Sequence, residues 1–211
     1  MIKADFLKIC FVLVFIISFC VICNAQEEFT VSAKADSDYS VLLKQAPHSI
    51  SSLMKKRKNE AAIIYLSTGD SSANPSPNFT LTKAFLYHDT IHIGAALGFF
   101  GGYSIEIKIS NNQFTGLFGM ETGNALVLKQ KPSDSIYLSS IEALPVKQKL
   151  ILSEIPKFIN GEIITGEFVG HFQSFYFYNV GIDEIMKPNV RVVFKCRIVD
   201  YNKVDNLLKA N

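Results

Sequence analysis

The chain has 211 residues, of which 48% are apolar and 19% are charged. This composition excludes a disordered, collagenous or low-complexity protein. The formal net charge is only +2, so the protein has no strong field with which to attract nucleic acid, and a nucleic-acid-binding function has little support.

The first 25 residues have the layout of a secretory signal peptide. Lys3 and Lys8 lie in a short leading stretch, the run 9–23 is apolar except for Ser18, and Ala25 is a small residue suited to cleavage. The run is shorter than the roughly 20 apolar residues that a spanning helix needs. We expect cleavage after Ala25 and a periplasmic or extracellular protein, with an uncleaved N-terminal anchor as the alternative.

Removal of the signal peptide leaves a chain long enough for one domain with its own core. The segment 26–48 is weakly patterned and is interpreted as an N-terminal arm, followed by a single domain over 49–211. Only Cys196 of the four cysteines remains, so the secreted chain has no intramolecular disulfide. Cys196 alternates with Phe194 and Ile198 on an apolar face, which predicts a buried, unreactive thiol.

One short helix is predicted near the start of this domain. Ser49 is a suitable N-cap, and Ile50, Leu53 and Met54 follow at helical spacing. We therefore expect a helix over about 50–60. Its basic run 55–58 is interpreted as a solvated face.

The residues 103–120 predict a β-hairpin. Ile105, Ile107 and Ile109 alternate with polar residues, and a second alternating run follows Asn111–Asn112. A two-residue turn at the two asparagines places Ile107 opposite Gly116 and keeps the apolar residues of both strands on one face.

Several further strands are predicted along the chain. Asn160–Gly161 is the strongest turn signal, and it indicates an antiparallel connection. The predicted strands are 62–66, 125–129, 136–141, 149–155, 162–178 with an internal break, and 190–199. Many short antiparallel strands and one short N-terminal helix predict a mostly β protein with an antiparallel β-sandwich, and an open β-barrel is the runner-up.

The cluster His88, Asp89 and His92 is the main candidate for metal binding or acid–base chemistry. Its surroundings indicate strands, and four residues of a strand span about 13 Å, too far for two ligands of one metal ion unless the chain turns. We predict no metal site and no cofactor. Ser52 and Lys55 match the spacing of one hydrolase motif, but the companion motifs are missing.

The segment 171–178 is the best candidate for a binding site. Strict alternation puts Phe175 and Phe177 on the polar face of the strand, so both faces become aromatic. Either a neighbouring element buries both faces, or a partner or ligand covers them. The candidate binding residues are Phe175, Phe177, Tyr176, Tyr178 and His171.

These features indicate an exported, non-catalytic binding, accessory or envelope-interaction module with an unknown protein or envelope ligand. The alternatives are an envelope-associated hydrolase that uses His88, Asp89 and His92, and a small-molecule carrier. The three differ in what the fold must bring together: an exposed aromatic patch, a cleft with acid and base groups, or an apolar cavity.

Overall fold

A computed structural model describes residues 26–46, 56–57, 59–69, 75–98 and 101–201. The helix α1 spans Lys34–Lys44. The strands are β1 (Glu27–Glu28), β2 (Thr30–Val31), β3 (Glu60–Ser67), β4 (Asn78–Tyr87), β5 (Thr90–Leu97), β6 (Gly102–Ser110), β7 (Gln113–Glu121), β8 (Leu128–Lys129), β9 (Ser140–Ala143), β10 (Pro145–Leu152), β11 (Ile163–Phe172), β12 (Phe175–Asn179), β13 (Ile182–Met186) and β14 (Asn189–Asp200).

The hairpin of β6 and β7 has the predicted register. Ile107 lies opposite Gly116, and the pairing continues without a shift from Ser110–Gln113 to Gly102–Glu121. Asn111 adopts a φ of 54°, a left-handed conformation that asparagine tolerates. The isoleucines of β6 are buried, because only this register directs all of them to the core.

The strands form one eleven-stranded sheet and a small three-stranded sheet. The large sheet has the order β1-β7-β6-β5-β4-β3-β14-β11-β10-β2, with β9 also paired to β7, and the small sheet has the order β13-β12-β8. Phe114 on β7 packs edge-on against Phe168 on β11, with 6.3 Å between the ring centroids. The large sheet therefore folds back on itself into two layers around one core.

The corner between the two layers lies at β14. This strand pairs with β3 and β11 along most of its length, and then Ile198 to Asp200 run parallel to the end of β4. The sheet does not close into a barrel. The prediction of a mostly β, sandwich-like fold is thus confirmed.

The two layers approach closely where glycine faces a phenylalanine ring. A Cβ at Gly116 would lie 2.3 Å from the Cζ of Phe168, so no larger residue fits there without rearrangement. On β14, Cys196 is fully buried, and burial raises its pKa above the usual range for a thiol. The predicted core position of Cys196 is confirmed.

The segment interpreted as an arm contains an element that the sequence did not reveal. Helix α1 lies on the outer face of the sheet, where Tyr39 packs against Ala61 and Val193. Asp36 accepts a hydrogen bond of 2.7 Å from the Lys195 ammonium and one of 3.2 Å from the Thr165 hydroxyl. Only Ala35 and Tyr39 of the helix are buried, which is why its sequence shows so little apolar periodicity.

Two other predictions about connections differ from the structure. Asn160–Gly161 does not join two strands directly: β10 ends at Leu152 and β11 begins at Ile163, and Gly161 donates its N–H to the Ile198 carbonyl in the intervening loop. The strand predicted over 136–141 is displaced to β9.

The helix predicted over about 50–60 falls largely on residues outside the described ones. Within the described ranges, no helix is long and apolar enough to cross a membrane.

Candidate functional site

The aromatic segment is interrupted where β11 gives way to β12. Gln173 and Ser174 form no strand, and Gln173 instead donates its N–H to the Leu144 carbonyl. The break changes which face the next residues occupy. Phe175 is therefore buried in the main core at 2% exposure, stacked on Phe118 with 6.2 Å between ring centroids. The strand was predicted with an internal break, but strict alternation was carried across it, and the resulting placement of Phe175 on the polar face does not hold.

The other predicted binding residues are distributed over different surfaces. Phe177 packs at the edge of the core. Tyr176 lies opposite Ile185, and Tyr178 lies opposite Asp183, on the outer face of the small sheet. His171 is exposed on β11, where its Nδ1 contacts the Asn189 side-chain oxygen. The five side chains do not form one aromatic platform.

A cluster of polar and aromatic side chains lies on the outer face of the small sheet. The Lys129 ammonium lies 3.0 Å from an Asp183 carboxylate oxygen and 4.2 Å from the centroid of the Tyr137 ring. The rings of Tyr137 and Tyr178 meet edge-on at 5.4 Å. A cation under an aromatic ring and beside a carboxylate fixes the position of the loop that carries Tyr137. The arrangement connects the small sheet to this loop.

A groove of about 670 Å³ lies beside this small sheet, on the outer face of β6, β7 and β9. We call it the β9 groove. One row across the three strands is formed by Ser104, Gly119 and Glu142. The floor of the groove is low at the first two positions, because serine is small and glycine has no side chain. A Cβ at Gly119 would lie 2.4 Å from the Ser104 Oγ. The lining residues are Ser104, Leu117, Gly119, Met120, Glu121, Gln130, Leu138, Ser140, Ile141, Glu142, Leu144 and Gln173.

A smaller recess of about 200 Å³ adjoins the β9 groove and reaches the aromatic segment. Gln130, Ile141, Glu142 and Gln173 line both cavities. The recess is further lined by Lys131, Ala143, Ser174 and Phe175. Of the five residues predicted for binding, Phe175 is the one that reaches either of these two cavities.

Two glutamates give the β9 groove its charge. Glu121 lies opposite Ser140, and Glu142 lies opposite Gly119, so the two carboxylates are diagonal neighbours on one sheet face. Diagonal neighbours in a sheet are roughly 7–8 Å apart. Among the described residues, no lysine or arginine lines the groove, and none forms an ion pair with Glu121 or Glu142. The groove combines apolar walls with unneutralised negative charge.

A third glutamate on the same sheet face, Glu106, differs from these two because basic side chains lie beside its carboxylate. Glu106 on β6 accepts hydrogen bonds from His92 and lies 3.2 Å from the Lys108 ammonium. Although burial acts in the opposite direction, these two partners lower the pKa of Glu106. Glu106 is thus neutralised within the protein, whereas Glu121 and Glu142 face the open groove.

The cluster His88, Asp89 and His92 lies elsewhere in the molecule. His88 and Asp89 form the two-residue turn between β4 and β5, and His92 points outward from β5 to Glu106. None of the three lines the β9 groove or the recess. Among the residues that the structure describes, no group of three histidine, cysteine or acidic side chains is placed to hold a metal ion.

Comparisons with protein-family models, with curated proteins and with solved structures found no match to this chain. The chemistry of the groove is therefore inferred from its own residues. Sequence reasoning missed Glu121 and Glu142 because they lie 21 positions apart and are brought together only by the pairing of β7 with β9. The alternating pattern of β7 left Leu117 and Gly119 on the outer face, but the strand predicted over 136–141 only partly overlaps β9.

Proposed function

We propose that this protein is an exported, non-catalytic binding module that holds its ligand or partner in the β9 groove. The observation that carries the proposal is the groove itself. Its volume lies within the range of about 300–1,000 Å³ typical of ligand sites, and apolar and polar side chains line it in similar numbers. It also borders the aromatic segment through Gln173 and, by way of the recess, Phe175.

The lining of the groove favours binding over hydrolysis. The histidines and Asp89 that would serve a hydrolase lie on another part of the sheet, away from the two cavities. The groove presents instead three leucines, two glutamines and two serines beside its two glutamates. Such a mixture supplies contact area and hydrogen bonds for a bound ligand or partner.

The cleavage site expected after Ala25 lies just before the first strand. β1 begins at Glu27, two residues beyond the expected cleavage site, and pairs with β7. The sequence after Ala25 is therefore part of the sheet. Mass analysis of the protein from the non-cytoplasmic fraction of its cell should give a chain that begins at Gln26. A chain that begins at Met1 would support the uncleaved anchor instead.

Photo-cross-linking in the producing cell tests the binding site. A photoreactive amino acid at Leu144, which lines the groove and is 51% exposed, should form an adduct with the ligand or partner. Ile159 is a matched control, since it is 54% exposed in the loop before β11. Equal labelling at both positions, or none at Leu144, would contradict the proposal.

A further inference from the structure

We infer that the β9 groove binds a lysine- or arginine-containing peptide segment that lies extended along the edge of β9. This inference rests on the proposed function, because it names the chemical class of the partner for the same groove. Three independent features of the groove carry it: the free main-chain groups of β9, the two carboxylates, and the exposed leucines.

The first feature is the unpaired edge of β9. The Thr122 N–H donates to the Ser139 carbonyl, and antiparallel pairing alternates along the strand, so Ile141 and Ala143 direct their main-chain groups to β7. Ser140 and Glu142 consequently direct theirs away from β7. Within the described residues, these groups have no main-chain partner.

This edge of β9 is open over only a short length. Leu138 still pairs with Leu128 at one end, and the Leu144 carbonyl accepts the Gln173 N–H at the other. Between these two points the recess separates β9 from Gln130 and Phe175. The main-chain groups of Ser140 and Glu142 are two residues apart, which is the repeat that an added antiparallel strand presents.

The second feature is the charge of the larger cavity. Glu121 and Glu142 project from the same face as the groove floor, and within the part of the chain that the structure describes no basic side chain lines the groove. Lys131 and Glu142 both line the smaller recess, so the recess holds charges of both signs. A positively charged side chain is therefore expected in the larger cavity, where both carboxylates are available to it.

The third feature is the apolar surface on either side of the carboxylates. Leu138 is 40% exposed and Leu144 is 51% exposed, and both line the groove. Side chains of an extended peptide point alternately to opposite sides. The basic side chains on the groove side would lay their aliphatic stems against the leucines while their charged ends reach the glutamates. The alternate, apolar side chains would point to the opposite face. A small amine would satisfy the glutamates but leave the edge of β9 unpaired.

Fluorescence anisotropy with a defined probe tests the inference. The probe is a labelled, capped pentapeptide in which lysine alternates with valine, added to the purified protein. We expect saturable binding that weakens as salt is raised from 0.1 M to 1 M, since the screening length falls from about 10 Å to about 3 Å. The same peptide with glutamate in place of lysine should not bind.

Two substitutions and a matched control locate the site. Glu121→Gln and Glu142→Gln each remove one charge without changing shape, and each should weaken binding by about 3- to 5-fold, as for partly exposed ion pairs. Glu154→Gln removes an exposed charge in the loop after β10 and should leave binding unchanged. All three positions are exposed, so the melting temperature should stay the same.

Two further probes separate the main-chain contribution from the charge. A pentapeptide with methylated main-chain nitrogens should bind more weakly, because it cannot donate hydrogen bonds to β9. Hexylamine should compete only weakly. Equal binding of the methylated peptide or of hexylamine would overturn the assignment of a peptide partner, and equal binding by Glu142→Gln would overturn the assignment of this groove.

These outcomes can be distinguished from failure of the proposed function. If Leu144 is cross-linked in the cell but the lysine peptide does not bind, the groove is a binding site for a different chemical class, and this inference is wrong. If Leu144 is not cross-linked, the proposed function fails first.

Discussion

The β6–β7 hairpin and the segment 171–179 both show alternation, yet only the hairpin keeps it from end to end. The hairpin joins its strands through two asparagines, and its register runs unshifted over nine residue pairs. The aromatic segment is broken at Gln173 and Ser174, and Phe175 enters the core instead of the polar face. Alternation therefore assigns faces reliably only as far as the strand is continuous.

The difference between the two segments depends on which residues form hydrogen bonds with their main-chain groups. Along the hairpin, each strand is the hydrogen-bonding partner of the other, so pairing and side-chain pattern favour the same register. At Gln173 the partner is Leu144, which belongs to the chain just after β9. A contact between residues distant in sequence ends β11 and begins a different sheet.

The strongest test of the broken segment is Phe175→Ala. Because Phe175 is buried against Phe118, the free energy of unfolding should fall by about 3–5 kcal/mol, as for a core truncation. Phe177→Ala is the comparison, and it should cost clearly less because Phe177 is only partly buried. Urea denaturation measures both. Equal losses would show that the break does not separate the two rings.

The hairpin side of the comparison is tested by Gly116→Ala. Since the new Cβ would overlap the Phe168 ring, we expect a loss of about 1–3 kcal/mol in the free energy of unfolding. Gly94→Ala on β5 has nothing within 4 Å of its new Cβ. It should be neutral or slightly stabilising. A neutral Gly116→Ala would argue against close packing of β7 on β11.

Cys196 tests a second strand in which alternation is unbroken. Its thiol should react slowly with a labelling reagent in the native protein and rapidly in denaturant, because it is buried and its raised pKa keeps it protonated. Cys196→Ser should lower the free energy of unfolding by about 1–3 kcal/mol, since a hydroxyl is costly to bury. Rapid native labelling would revive a role for the thiol.

The smallest expected effect concerns α1, where the sequence had no clear pattern. Lys195 lowers the pKa of Asp36, so the ion pair stabilises the fold above the ordinary carboxyl pKa of about 4 and is lost as pH falls through the lower folded value. Because Asp36 is half-exposed, Asp36→Asn should cost at most about 1 kcal/mol at pH 7.

Melting temperatures at several pH values measure this effect. The difference between Asp36→Asn and the unsubstituted protein should shrink as pH falls below about 4. Asp38→Asn on the same helix is the control, because its partner Lys34 is 77% exposed. A difference that persists in acid would show that the pair with Lys195 is not what Asp36 contributes.

Prediction from sequence succeeded where structure is set by neighbours along the chain. The Asn111–Asn112 turn and the buried face of β14 both follow from local spacing. Prediction failed for α1, whose buried side chains are too few to show a period, and it misplaced β9, whose alternation extends over only four residues. Their positions depend on the sheet surfaces they meet.

The candidate site consists almost entirely of features that could not be predicted from the sequence. The sequence by itself determined that the protein is mostly β, how its central hairpin is registered, and that Cys196 is a core residue, because side-chain period and turn chemistry are local properties. Only the tertiary structure brought Glu121 beside Glu142 and left the edge of β9 open next to Gln173. A groove between strands distant in sequence has no local period, so its chemistry becomes visible only when the sheets are assembled.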